Sequence, residues 1–337
     1  MANITMEIIE ENRPDFAEVE AFIDGCKNGS LYHRPRFLSY HSAAKFPLPQ
    51  YRWRHYLFRK GQRPLAFLPG ALVEAPGEPL AFKSPLGASY GGMVHGSLSF
   101  HEMEECVELW WKDLVDRSVR QAEIILSPKP YQEMEVTEEF EFELYRRGFQ
   151  VDSPGLVLIT QVENHPDFPL NLLKRRARKF LNQANNFGVN AGCSEDFSAA
   201  LDLFYPILAE NRQQFDATPT HTQKEIQVLR DLFEENIQLF LCHHNDSVIS
   251  GALVFRVNQE TLNTFYIADL PASREVRGAN ALIASVYHWA RDLKIKWLDF
   301  GPSTFGLEPK STLIEFKESL GGRGFLKRRF CWTEGQK

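Results

Sequence analysis

The 337-residue chain predicts a mixed α/β fold in which one α+β unit on a mixed sheet is laid down twice in tandem. Two observations carry that prediction. The second half reads as strand, turn, strand, strand, helix, strand, helical turn and strand, and the first half repeats most of that order in degenerate form. The length fits as well, since about 100–200 residues per domain gives about two domains. The expected spans are residues 1–153 and 154–337.

In the first half, apolar β-type runs over residues 53–59 and 64–73 make two strands around the turn at Lys60, Gly61, Gln62 and Arg63. Residues 87–92 are a glycine-rich loop. Apolar residues at helical spacing mark a helix over 101–117, followed by a strand over 122–126, a helical turn over 142–147 and a strand opened by Gly148 and Phe149. Pro154 and Gly155 then break the pattern and mark the linker, residues 151–155. Beyond it lie an apolar strand over 156–160 and, bracketed by Pro166 and Pro169, the entry to a helix over 170–186. Strands over 238–243 and 248–257 flank the polar turn 244–247, and 262–268 is a third strand. A glycine-containing loop leads into a helix over 280–293, then a strand over 296–300, a helical turn around Phe316 and a last strand over 324–332.

With 43% hydrophobic residues, each half has enough apolar side chains for its own core. The net charge of −6 argues against a general nucleic-acid binder, and no DNA partner is expected, although local basic patches are compatible with it. Five cysteines, Cys26, Cys106, Cys193, Cys242 and Cys331, show no C-x-x-C pair and read as reduced thiols. The first ten residues lack the features of a signal peptide, and no run approaches the ~20 apolar residues of a membrane span, so a cytoplasmic protein without a span is expected. His243 and His244 sit in a turn and nothing else has metal-ligand spacing, so no metal is expected; a Walker-type loop is missing too. Trp110 and Trp111 read as packing residues.

Several short motifs run through the chain. Asp299-Phe300-Gly301 precedes Phe316-Lys317-Glu318 and Gly321-Gly322. Earlier come the segment from His33 to Phe37, the segment from Ser84 to Gly92, and Lys174 to Lys179 leading to Gly188 and Val189. Together these resemble the FemAB family, transferases built from two copies of the GNAT (N-acetyltransferase) fold that add amino acids to peptidoglycan precursors. The resemblance implies tandem GNAT domains, the first degenerate and on the acceptor side, the second holding the donor cleft and catalytic centre. It implies a transfer of an acyl or aminoacyl group onto an amine of a cell-envelope precursor, with nucleotide- or lipid-linked glycan precursors as candidate acceptors. The long charged helical hairpin of many family members is missing here, which leaves acyl-CoA and aminoacyl-tRNA both open as co-substrate, tRNA being a partner in the second case; no tightly bound cofactor is expected. Two alternatives stand beside this one: an acyl-CoA-dependent N-acetyltransferase acting on a small amine or amino sugar, and a non-catalytic module that recognises a glycan or peptide.

Either donor asks for the same chemistry. A neutral amine attacks an ester or thioester carbonyl, and the site must stabilise an oxyanion and protonate a leaving group. In a GNAT fold the donor lies in a wedge between two splayed strands, here residues 264–269 against 297–301. The resemblance places Phe316 and Lys317 at the reaction centre, with the lysine as a mobile positive charge. Tyr266 is a candidate acid or orienting group and Asp269 a candidate for orienting the amine, against defaults of strand packing and turn formation. Asp299 and Ser303 flank the wedge on its other side. The loop with Arg277, Gly278, Ala279 and Asn280 falls where donor phosphates meet a helix N-terminus, although Arg277 occupies the first glycine position of the usual pattern. A plain capping loop is the competing reading. Arg36 and the glycine-rich loop with Ser89, Tyr90, Gly91 and Gly92 are the acceptor-side candidates. Gly87, Ser89 and Gly91 also fit G-x-S-x-G, but the required helix does not follow directly. The basic run 174–179 supplies charge for an acceptor's phosphates or the donor's nucleic acid, but over the apolar stripe Leu173, Ala177 and Leu181 it reads first as a plain solvated face.

Overall fold

The computed structural model describes residues 3–10, 16–40, 50–132, 136–214 and 216–335. The chain divides into two compact units: residues 1–155 together with 326–337, and residues 156–325.

The first unit opens with β1 (Ile4–Ile9), α1 (Ala17–Gly25) and α2 (Pro35–Ser39). A long interrupted hairpin follows: β2 (Gln50–Trp53), β3 (His55–Lys60), β4 (Arg63–Leu68) and β5 (Ala71–Glu74). Its two arms break together, where Arg54 N–H donates to Gly70 O at 2.8 Å. Gly70 has to be a glycine because a Cβ there would lie 2.2 Å from the Phe82 ring. Next come β6 (Ala81–Ser84), β7 (Val94–His95) and α3 (Phe100–Asp116), started by a reciprocal capping box between Ser99 and Glu102. The unit's own run ends with β8 (Gln121–Ile125), α4 (Glu139–Arg146) and β9 (Gln150–Val151). Trp110 and Phe82 meet in its core, and both are fully buried.

The second unit runs β10 (Gly155–Gln161), α5 (Arg175–Asn186), β11 (Asn190–Cys193), α6 (Phe197–Gln213), α7 (Gln223–Leu232), β12 (Ile237–His244), β13 (Ser247–Arg256) and β14 (Thr261–Asp269). It continues with α8 (Gly278–Asp292), β15 (Trp297–Pro302), the small hairpin β16 (Thr304–Phe305) and β17 (Glu308–Pro309), α9 (Ser311–Ser319) and β18 (Arg323–Lys327). Among the described residues its sheet is ordered β11-β12-β13-β14-β15-β10-β18. Helices α5 and α8 pack over one face through Ala177, Leu181, Leu282 and Val286, and α6 lies against β13, with Phe204 seated where Gly251 leaves no room for a Cβ. The expected helix over 170–186 starts only at Arg175. Lys174 N–H is taken by Ser319 O at 2.8 Å, so it cannot join an α-helical ladder from residue 170.

The last strand is not one strand. β18 belongs to the second sheet, whereas β19 (Arg329–Thr333) pairs antiparallel with both β8 and β9, in a sheet ordered β2-β5-β6-β8-β19-β9. Residues 326–337, expected with the second half, therefore fall with the first unit. The two sheets correspond strand for strand here: β19 occupies beside β8 the slot that β10 occupies beside β15.

Candidate active site

In the second unit β14 and β15 run parallel but pair only from Thr261 to Asn263 against Trp297 to Asp299. Past that point β14 continues to Asp269 with β13 as its partner, and a bulge at Phe265 skips one register position. The strands part, and the open flank of β14 carries backbone donors without a ladder partner among the described residues. Side chains close the paired end: Asn263 Nδ2 and Thr264 Oγ1 donate to Asp299 O at 3.4 and 3.2 Å. Asp299 is fully buried, and its Oδ1 accepts from Gly301 N–H at 2.6 Å. Gly301 has φ +76°, a conformation that suits glycine, just past the last β14–β15 pair at Asp299.

Lys317 reaches this turn from α9. It is 5% exposed, and its Nζ donates to Gly301 O at 3.0 Å and to Pro302 O at 2.8 Å. An ammonium has three protons, so two carbonyls leave one for another acceptor. Burial pulls its pKa down to about 8, opposed by the Asp299 charge and assisted by Lys310. Phe316, next in the helix, packs against the core beneath α8. Ser303 is buried, its N–H bonded to Leu156 O and its carbonyl to Lys310 N–H, while its Oγ has no hydrogen-bond partner.

Tyr266 faces away from Lys317's turn. Ile267 beside it packs toward α8, and by strand alternation Tyr266 lies on the α6 side. Its hydroxyl accepts from His221 N–H at 3.2 Å and lies 2.8 Å from His221 Nδ1, a hydrogen bond whose direction follows the imidazole tautomer. Burial raises the phenol pKa further. The Tyr266 hydroxyl is thus engaged with His221 on the α6 side of the strand. Asp269, at the end of β14, sits 3.4 Å from Arg274 Nε, and burial raises its carboxyl pKa against that partner's pull. Arg212 lies over the Tyr266 ring at 5.6 Å. Neither Arg212 nor His221 stood out in the sequence, although the capping box of Thr222 and Glu225 signals the α7 start that fixes His221.

The donor-side loop enters α8 with Arg277 in the left-handed region, φ +62°. Gly278 is closely packed, a Cβ there lying 2.8 Å from Ile249 Cδ1 and 3.0 Å from Ser250 Oγ. Asn280 is buried and Ala279 half-buried at the first turn of α8. In the first unit the acceptor-side candidates are engaged with their own surroundings. Arg36 Nε donates to Glu20 Oε2 at 2.9 Å. Tyr90 is buried between Tyr32 and Tyr131, and Ser89 is half-buried. Gly91 N–H bonds Ile125 O at 2.7 Å and Gly92 N–H bonds Ser84 Oγ at 3.0 Å, with Gly91 too close to Pro85 to carry a Cβ. Here β6 and β8 stay paired from Ala81 to Ser84, and Gly91 extends the bridge to Leu126. The first unit's own loop therefore fills the gap that stays open in the second. All five cysteines are unpaired, no cluster of metal-ligating side chains occurs among the described residues, and no helix among them is long and apolar enough to cross a membrane.

Solved structures share this arrangement over nearly the whole chain. FemX matches with a TM-score of 0.73 at 14% identity, covering 97% of each chain. The fold is that of FemX. The FemX-like arrangement also appears in L-PGS from Bacillus licheniformis, with a TM-score of 0.58, 10% identity and coverage of 96% and 93%. A tandem GNAT protein from the clavulanic acid biosynthesis pathway matches with a TM-score of 0.50, 11% identity and coverage of 99% and 100%. The expected tandem GNAT, FemAB-like fold is therefore correct. No family model matches the chain, and no curated protein matches it by sequence.

Proposed function

We propose that the chain is a transferase that moves an acyl or aminoacyl group from an activated ester or thioester onto an amine of a cell-envelope precursor, acting in the cytoplasm and through its second unit. The observation that carries this reading is Lys317, buried and fixed by two carbonyls at the mouth of the parted strands β14 and β15. FemX-like architecture across 97% of both chains supports it.

In this reading the donor carbonyl lies in the wedge, with unpaired N–H groups of β14 and the third Lys317 proton facing the developing oxyanion. The neutral amine forms the new C–N bond, collapse of the tetrahedral intermediate breaks the C–O or C–S bond of the donor, and the proton lost from the amine nitrogen passes, directly or through solvent, to the departing oxygen or sulfur. In the same reading Asp269 orients the amine, and the loop Arg277 to Asn280, with Asp299 and Ser303, seats the donor. Tyr266, through His221, positions the bulged strand. Phe316, packed against the core next to Lys317 in α9, anchors the helix that carries the lysine. On the acceptor side, Arg36 and the loop Ser89 to Gly92 would contribute charge and shape.

Purified protein incubated with acetyl-CoA, longer acyl-CoAs or charged tRNA and an amine-bearing precursor, with products read by mass spectrometry, tests the reading. Product that depends on a donor and on Lys317 supports it. Donor-dependent product unchanged in Lys317→Ala rejects the centre, and binding of a glycan without any donor-dependent product favours a recognition module.

A further inference from the structure

Two features of the second unit, an apolar hairpin tip and a basic helix face, are turned to solvent from opposite ends of α9. In the β16–β17 hairpin Thr304 pairs with Pro309 and Phe305 with Glu308, which leaves Gly306 and Leu307 as a two-residue turn, with Gly306 at φ +56°. Phe305 is 80% exposed and Leu307 70%, the highest values among the large hydrophobics of the described residues. The turn itself asks only for the glycine, and two large apolar side chains held out in water gain nothing for the fold. The base of the hairpin is fixed, since Leu156 N–H donates to Thr304 Oγ1 at 3.0 Å and Lys310 N–H to Ser303 O at 3.0 Å. On α5, Ala177, Leu181 and Ala184 are buried in the core, so the other side of the helix meets solvent. Arg175, Arg176, Arg178 and Lys179 are exposed there, the helix has no acidic residue, and none of the four pairs with a carboxylate among the described residues. In a chain of net charge −6 that face is a local reversal of sign. Its C-cap, Phe187, is half exposed. Helix α9 begins just after the hairpin, and at its far end Ser319 O accepts from the N–H of Lys174, the residue that leads into α5. Its nine residues span about 13 Å, so tip and basic face flank the helix that carries Lys317.

We propose that the outward face of α5 and the β16–β17 tip together form a docking surface for an anionic lipid bilayer. One such signal alone binds a bilayer marginally and reversibly, whereas an apolar insertion combined with a polybasic patch holds a protein there. Each basic side chain near an anionic headgroup layer strengthens binding about fivefold. Glu308 and Lys310, at the foot of the tip, cancel in charge, so the tip supplies the apolar contact and α5 the attraction. A polyanion such as RNA would use the basic face alone. Phe305 and Leu307 are what favour a bilayer, because their side chains can enter the acyl boundary below the headgroups. The surface is separate from the reaction centre, and the inference does not depend on which group the second unit transfers.

The test is co-sedimentation of the full chain with vesicles of phosphatidylcholine alone and of phosphatidylcholine mixed with phosphatidylglycerol. Wild type is compared with the double variants Arg175→Gln/Lys179→Gln and Phe305→Ser/Leu307→Ser. Wild type should bind the mixed vesicles, leave the neutral ones, and come off as salt is added. The charge variant should bind about 25-fold more weakly and the tip variant about tenfold more weakly or worse. Both should keep the wild-type melting temperature, because all four side chains are exposed, and this separates lost binding from lost folding. Wild type that stays in solution beside mixed vesicles overturns the docking surface, and so does binding that survives either double substitution. A short stem-loop RNA titrated into the same proteins covers the nearest alternative. RNA bound through Arg175 and Lys179 by a chain that ignores vesicles assigns the basic face to a nucleic acid and overturns the proposal. Self-association through Phe305 and Leu307 without vesicle binding, read by sedimentation velocity, assigns the tip to a second copy of the chain and overturns it as well.

Discussion

On the proposed function, Lys317 is the residue on which activity and stability pull in opposite directions. Its ammonium is protonated at neutral pH but held in a buried site that pulls the pKa down to about 8. The folded state therefore binds fewer protons than the unfolded chain between about pH 8 and the ordinary lysine value of 10.5. Lys317 thus disfavours the fold below pH 8, and this disadvantage is relieved as pH rises through that window. Denaturant unfolding of wild type against Lys317→Met should show the stability difference shifting toward wild type from pH 8 to 10.5. A parallel pair of curves would mean that the lysine is neutral throughout or solvated. In the proposed transfer the same ionisation would limit turnover. Transfer should decline above about pH 8, Lys317→Ala should lower kcat by about a hundredfold to a thousandfold, and a pH–rate profile of the wild type would reveal the limb. Tyr266 illustrates what spacing along a strand cannot convey. Its hydroxyl looked available as an acid, but a partner 45 positions away in sequence, His221, holds it.

Individual elements were legible wherever their signals were local. The β12–β13 hairpin is an example: two apolar, largely buried runs flank a polar turn, and Asn245 and Asp246 adopt φ +48° and +61°, as a tight hairpin turn demands. Helices α6 and α7 were less visible. α6 contains Pro206 and is buried through residues such as Phe204 and Leu208, so its periodicity blurs, and only the Asp196 cap marks its start. The close approach of α6 to β13 makes a sharp prediction. Gly251→Ala would drive a Cβ to 2.4 Å from the Phe204 ring and should cost about 1–3 kcal/mol, measured by urea unfolding. At α7, Thr222→Ala removes an N-cap and should cost about 1 kcal/mol. Hydrogen exchange should show it loosening the segment that carries His221 as well. An unchanged exchange pattern there would mean that the His221–Tyr266 bond, not the cap, sets the position of that segment.

At the scale of the molecule, tandem duplication could be read from the order of elements, but the allegiance of the final strand could not. Residues 324–332 have one continuous strand-like pattern, and nothing local in Arg329–Thr333 says that its hydrogen bonds go to β8 and β9. Pairing of that kind is decided by which edge is vacant. β8 needs a partner on the side away from β6, and β9, only two residues long, gains Phe330 and Cys331 as its neighbours. Shortening the chain after Lys327 should therefore strip protection from the amides of β8 in hydrogen exchange while leaving β12 and β13 protected. Equal loss in both units would show that their stabilities are not separable. The position of β19 also sets an order of events on the ribosome. The first sheet leaves the exit tunnel early but stays a strand short until Arg329–Thr333 has been made, so the half that is born first is completed last.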